Sequence, residues 1–183
     1  MKLNNEIIEN QNLEEIIGKL KKADDRYATL CKGIQILYWV LIPIYIVLVI
    51  RQIVVGSPVV DIVGSLCYLS AMLIFAFFFM NYYKEYKYVD YSQPTLVMLK
   101  KAAYRYQPFQ FKTLWVLLAV LLIDAGLGIN ASHSFELVSE QAYYLGVIVV
   151  AMLIGHLIWR VRYKPLRDAT LGLIREITGE NKI

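Results

Sequence analysis

The residues able to do chemistry are few and scattered. Asp124 is the one acid inside a long apolar run, TLWVLLAVLLIDAGLGI, and His156 is the one histidine inside another, QAYYLGVIVVAMLIGHLIW. An ionisable group within an apolar span is expensive, so such residues face a protein interior or an aqueous path. Asp124 is therefore a candidate proton or cation site, or else a protonated or hydrogen-bonded acid in the outer half of its helix, close to Gly126, Gly128 and Asn130. His156 lies just before Trp159 and Arg160, where an interfacial hydrogen bond is the plain reading and a proton relay the sharper one. At 1.5 Å per residue the two differ in depth by about 12 Å, which argues against a shared relay.

Other catalytic patterns are missing. The chain has no GxxxxGK[ST] loop, no HExxH, no GxSxG and no CxxC. His133 and His156 are expected on opposite sides of the bilayer, so no metal joins them. Cys31 and Cys67 are 36 positions apart, one expected in the cytosol and one in the membrane, and match no metal or redox spacing. The reading is non-enzymatic, with no catalytic residue, cofactor or metal. The net charge of +4 is too small to suggest nucleic acid.

The elements that must position these residues are four apolar runs. They are Gly33–Ile50, Ile62–Tyr83, Thr113–Ile129 and Gln141–Trp159, each close to the roughly 20 residues that a helix needs to cross a bilayer. The first begins behind a charged segment too long for a cleavable signal peptide. Hydrophobic residues reach 58% of the chain, more than the polar surface of a soluble 183-residue domain would cover. The expected fold is an all-α membrane protein with four transmembrane helices.

Orientation follows from Lys and Arg. Residues 1–33, 84–112 and 160–183 carry six each, and Arg51 is the only other one. Basic segments stay in the cytoplasm, which predicts a multi-pass membrane protein with both termini inside. Five segments result: a cytoplasmic helical segment at 1–32, a transmembrane hairpin at 33–83, a cytoplasmic loop at 84–112, a second hairpin at 113–159 and a cytoplasmic tail at 160–183. The stretch NYYKEYKYVDYSQPTLVMLKKAAYRYQ, residues 81–107, holds seven tyrosines and five Lys/Arg. Its rings suit the headgroup layer, and Lys84, Lys87, Lys100, Lys101 and Arg105 are candidate contacts for lipid phosphates.

Each cytoplasmic segment carries an amphipathic pattern. Leu13, Ile16, Leu20, Ala23, Tyr27 and Leu30, continued by Ile34 and Leu37, alternate spacings of three and four, a heptad seam of coiled-coil type. Asn12 and Glu15 suit a helix start. Ser92 is the expected N-cap of a second helix, whose apolar face is Leu96, Leu99, Ala103 and Tyr106 and which ends before Pro108. A third helix follows Pro165, with Leu166, Ala169, Leu173, Ile174 and Ile177 on one face. The three either close a bundle within one chain, pair between subunits in a homo-oligomer, or leave a groove for a protein partner.

DYSQPTLVMLKKAAYRY at 90–106 and RYKPLRDATLGLIREI at 162–177, each adjoining a span, resemble uncharacterised bacterial four-span membrane proteins. The resemblance covers the second half of the chain and implies no activity. The expectation is a membrane protein that presents cytoplasmic helices for self-association or partner binding, in regulation or signalling. The alternative is a small oligomeric channel or transporter using Asp124.

Overall fold

The computed structural model describes the backbone of residues 2–130 and 134–179, and the side chains of 13–129 and 139–179. His133 and Lys182 lie outside the described residues. Helices make up almost all of it, with no strand among the described residues. They are α1 (Lys2–Val55), α2 (Val59–Lys87), α3 (Thr95–Arg105), α4 (Leu114–Asn130), α5 (Ser134–Ile158) and α6 (Lys164–Thr178). Four helical stretches are long and apolar enough to cross a membrane, at Leu13–Val55, Val59–Lys87, Phe111–Ile129 and Ser139–Thr178.

Local signals explain most of the boundaries. Gly56, at φ 77°, turns the chain between α1 and α2, a conformation open to glycine at little cost. Helix α1 starts at Lys2, so Asn12 lies inside it rather than at its start, and it runs through Pro43 without a break. Pro94 occupies the N-cap position of α3; Ser92, the expected cap, instead donates its hydroxyl to Asp90 at 2.6 Å. Between α5 and α6 the helix widens to a π turn over Trp159–Tyr163. Pro165 follows, and it has no N–H to offer the carbonyl one turn back, so the regular ladder cannot continue there.

The chain forms two compact units. One comprises Thr29–Lys84 and Gln110–Leu153. Its buried positions are mostly small, among them Ser65, Ala71, Ala76 and Ala119, while large side chains such as Val47, Leu118 and Leu153 point outward. Small residues at these positions let the helix backbones approach closely. Gly126 of α4 sits so close to α2 that a Cβ would lie 2.9 Å from the Tyr68 ring and 3.1 Å from the Gly64 carbonyl oxygen. Helices α1 and α2 meet through Tyr38 stacked on Phe75, 5.4 Å between centroids, and Tyr45 edge-on to Tyr68. Tyr144 of α5 donates to the carbonyl of Val120 in α4 at 3.1 Å.

The other unit comprises Met1–Ala28, Glu85–Phe109 and Ile154–Ile183. Helices α3 and α6 pack along their lengths. Leu99 and Ala102 of α3, and Thr170 and Leu173 of α6, are buried. Leu20 of α1 is 0% exposed, worth about 1.5–3 kcal/mol of apolar transfer.

Candidate functional site

The α1–α3–α6 unit is organised around one carboxylate. Asp24 sits one helical turn after Leu20, which puts it on the same buried face of α1. It forms an ion pair with Arg105 of α3 at 2.8 Å, and both side chains are shielded from solvent. Tyr91 donates its phenol to the same carboxylate oxygen at 2.5 Å, and Tyr106 donates to the other. A buried charge persists when its hydrogen-bonding capacity is filled, and here three donors do so. Burial, and then the adjacent Asp24 carboxylate, hold the phenols of Tyr91 and Tyr106 well above the ordinary tyrosine range, so both remain neutral donors.

The C-terminal end of α3 is tied into the same cluster. Tyr86 donates to the carbonyl of Arg105 at 3.0 Å, and the Trp159 indole donates to that of Tyr106 at 3.0 Å. These bonds satisfy carbonyls that a helix end leaves open. Tyr27, Tyr86, Tyr106 and Tyr163 stack around them, with Tyr27 and Tyr86 at 4.4 Å and Tyr106 parallel to Tyr163 at 5.7 Å. The tyrosine-rich stretch thus supplies part of this core as well as exposed rings such as Tyr88 and Tyr104.

A groove of about 700 Å³ lies between α1 and α6. Ile16 and Ala23 form its α1 wall, and Leu166, Ala169 and Leu173 its α6 wall. Charged side chains rim it. Glu15 and Lys19 neutralise each other at 2.6 Å. Lys22, Arg26 and Arg162 then stand against the single carboxylate of Glu176, and none of these three cations is ion-paired among the described residues.

The predicted seam divides between burial and exposure. Leu20 is fully buried within the chain; Leu13, Ile16, Ala23 and Tyr27 are half-buried; Leu30 is 56% exposed. The expected lipid-phosphate contacts also separate. Lys84 and Lys100 are exposed, and Lys101 donates to Gln93 at 2.8 Å. Lys87 pairs with Asp25 at 2.9 Å, with both partners largely exposed. Arg105, expected on the outer face of its helix, is 8% exposed and committed to Asp24. The expected face of α3 is buried at Leu99, Ala103 and Tyr106 and half-buried at Leu96, and it widens to take in Met98, Ala102 and Arg105.

Asp124 and His156 belong to different compact units. Asp124 is half-buried on α4 and interacts electrostatically with Tyr144. His156 is exposed, with its ring 5.7 Å from that of Trp159. Among the described residues no cluster of His, Cys, Asp and Glu is placed to hold a metal. Comparison with protein-family models, with curated proteins and with solved structures finds no match for this chain.

Proposed function

We propose that this chain is a non-enzymatic, multi-pass protein of a bacterial inner membrane, of the four-span kind that its 90–106 and 162–177 motifs resemble. Both termini and residues 84–112 face the cytoplasm, where the α1–α3–α6 unit acts as a docking module in regulation or signalling. Its ligand is an amphipathic helix of a partner protein that carries acidic residues. The α1–α6 groove is the observation that carries this reading: two apolar walls suit the side chains of a helix, and three unpaired cations favour carboxylates on it.

A second copy fits the groove less well. Residues 3–17 hold four Glu and no Lys or Arg, so they have suitable charge. In two membrane chains of common orientation, equivalent residues lie at equal height. Glu9 of one copy would then stand about 25 Å along the helix from Arg26 of the other.

The test is a photoreactive phenylalanine at Ala169, activated in native membranes. The expected product is one discrete heavier species that disappears when Arg26→Glu and Arg162→Glu are combined. A product of twice the chain's mass would replace the partner with a second copy. Absence of any product, or one indifferent to the charge reversals, would overturn the docking reading. The alternative, an oligomeric channel or transporter, draws on the half-buried Asp124, whose neighbour Tyr144 already gives its proton to the Val120 carbonyl.

A further inference from the structure

The hairpin between α1 and α2 holds a recess of about 320 Å³ whose polar lining no part of the docking reading uses. Arg51, Gln52, Ser57 and Ser65 supply that lining, Tyr45 adds a phenol, and Leu48 is among the apolar residues beside them. All belong to a single compact unit.

Two features of the recess point to a ligand. Arg51 is the one cation outside the three basic segments, and it has no carboxylate partner among the described residues. Its guanidinium offers a fork of donors that matches a phosphate or carboxylate. The side-chain oxygen of Gln52 is buried and accepts no hydrogen bond among the described residues. A buried acceptor of this kind calls for an N–H or O–H donor. The Gln52 backbone cannot adjust freely to find one, because its carbonyl accepts from the Ser57 amide at 2.9 Å and so closes the turn at Gly56.

An anion for Arg51 and a donor for Gln52, side by side and next to an apolar wall, describe one class of molecule. We infer that the recess binds a phosphoethanolamine group, with its phosphate on Arg51 and the serine hydroxyls and its ammonium on the Gln52 oxygen. The position at the end of a spanning hairpin puts the recess at headgroup depth, so an intact phospholipid can lay a chain along Leu48. Free glycerophosphoethanolamine carries the same headgroup without the chains.

The experiment is native mass spectrometry of the full chain in detergent, titrated with phosphatidylethanolamine and with phosphatidylcholine of identical acyl chains. Phosphocholine keeps the phosphate but has no N–H, so it isolates the contribution of Gln52. The ethanolamine lipid should bind about tenfold more tightly. Gln52→Met, similar in size but without the acceptor, should reduce it to the level of the choline lipid. Gln52→Glu, which keeps an acceptor, should not. Arg51→Gln should weaken both lipids. Should Arg51→Gln fail to fold, the paired Gln52 variants still decide the outcome. Equal binding of the two lipids by the unaltered chain, or full retention of the preference in Gln52→Met, would overturn the inference. Competition by glycerophosphoethanolamine at equal concentration would confirm the headgroup chemistry and make the free solute the ligand; failure to compete would make it the lipid.

Discussion

Asp24 and Arg105 stand 81 positions apart in the chain and meet at 2.8 Å, with side chains 3% and 8% exposed. The pair joins α1 to α3. Removing one partner of a buried pair strands the other charge in a site of low dielectric, at a cost of about 3–5 kcal/mol.

Arg105→Met should therefore destabilise the α1–α3–α6 unit by an amount in that range. The double variant Asp24→Leu/Arg105→Met should be less damaged than either single one, because it leaves no orphan charge. Hydrogen exchange of α3 amides in detergent measures both. A double variant as unstable as the sum of the singles would mean that the pair does not act as a unit.

Alkaline pH should act through Tyr91 and Tyr106. Burial, and then Asp24, raise both phenols above the ordinary tyrosine value of about 10. A raised folded-state value means that the unfolded chain loses these protons first. Their stabilisation is complete below about pH 10 and declines as pH climbs toward the folded-state values. Tyrosinate absorbance should show these two phenols ionising only as the unit unfolds. The double variant Tyr91→Phe/Tyr106→Phe should be less stable at neutral pH and should lose less between pH 10 and 12.

The four apolar helices were legible because hydropathy is a property of each run by itself. Faces were harder. On α1 the heptad pattern follows a period of 3.5, while the buried residues follow the straighter path of an ordinary helix. Leu20, Cys31 and Ile42, eleven apart, are all buried, whereas Leu30 and Leu37 are more than half exposed. A seam of period 3.5 drifts by about 20° per heptad around a straight helix, enough to carry its later members off the packed side. The burial of Asp24 is not legible in the sequence. Its partner is remote in sequence, and nothing local marks an acid as buried. A usable clue lay in Arg105, set between Ala102, Ala103 and Tyr106, since small residues around one cation suggest a packed helix face. The Gly126–Gly64 approach was visible only as small residues on each helix; which helices they join is a tertiary fact.

Gly126 supports a prediction of its own. In Gly126→Ala the new methyl would meet the Tyr68 ring, which can yield, and the Gly64 carbonyl oxygen at 3.1 Å, which cannot yield without moving α2. Overpacking of this kind costs about 1–3 kcal/mol, and Gly126→Ile should cost more. Gly146→Ala, with open space around it, is the control. Denaturation in mixed micelles should order the three as Gly146→Ala, Gly126→Ala and Gly126→Ile, from mildest to most severe.

Asp124 separates the docking reading from the transport alternative. Asp124→Asn preserves size and hydrogen bonding but removes the titratable proton. Under the docking reading, purified protein in planar bilayers gives no steady conductance with either residue, and the variant unfolds at about the same denaturant concentration. A cation or proton current abolished by Asp124→Asn in folded protein would transfer the function to α4.

The proposed topology makes the sharpest prediction. Eighteen of nineteen Lys and Arg fall in residues 1–33, 84–112 and 160–183, and such segments resist export across the inner membrane. Arg51 is the one residue that opposes the bias, and a single charge does not outweigh six on each flanking segment. With Cys31 and Cys67 replaced by Ser, a cysteine at the exposed Ser139 should react in intact cells with a maleimide that cannot cross the bilayer. A cysteine at the exposed Lys100 should react only after the cells are opened. The reverse pattern would place the α1–α6 groove outside the cell and remove the cytoplasmic partner from consideration. Labelling of both sites in intact cells would mean that the four apolar helices do not all cross.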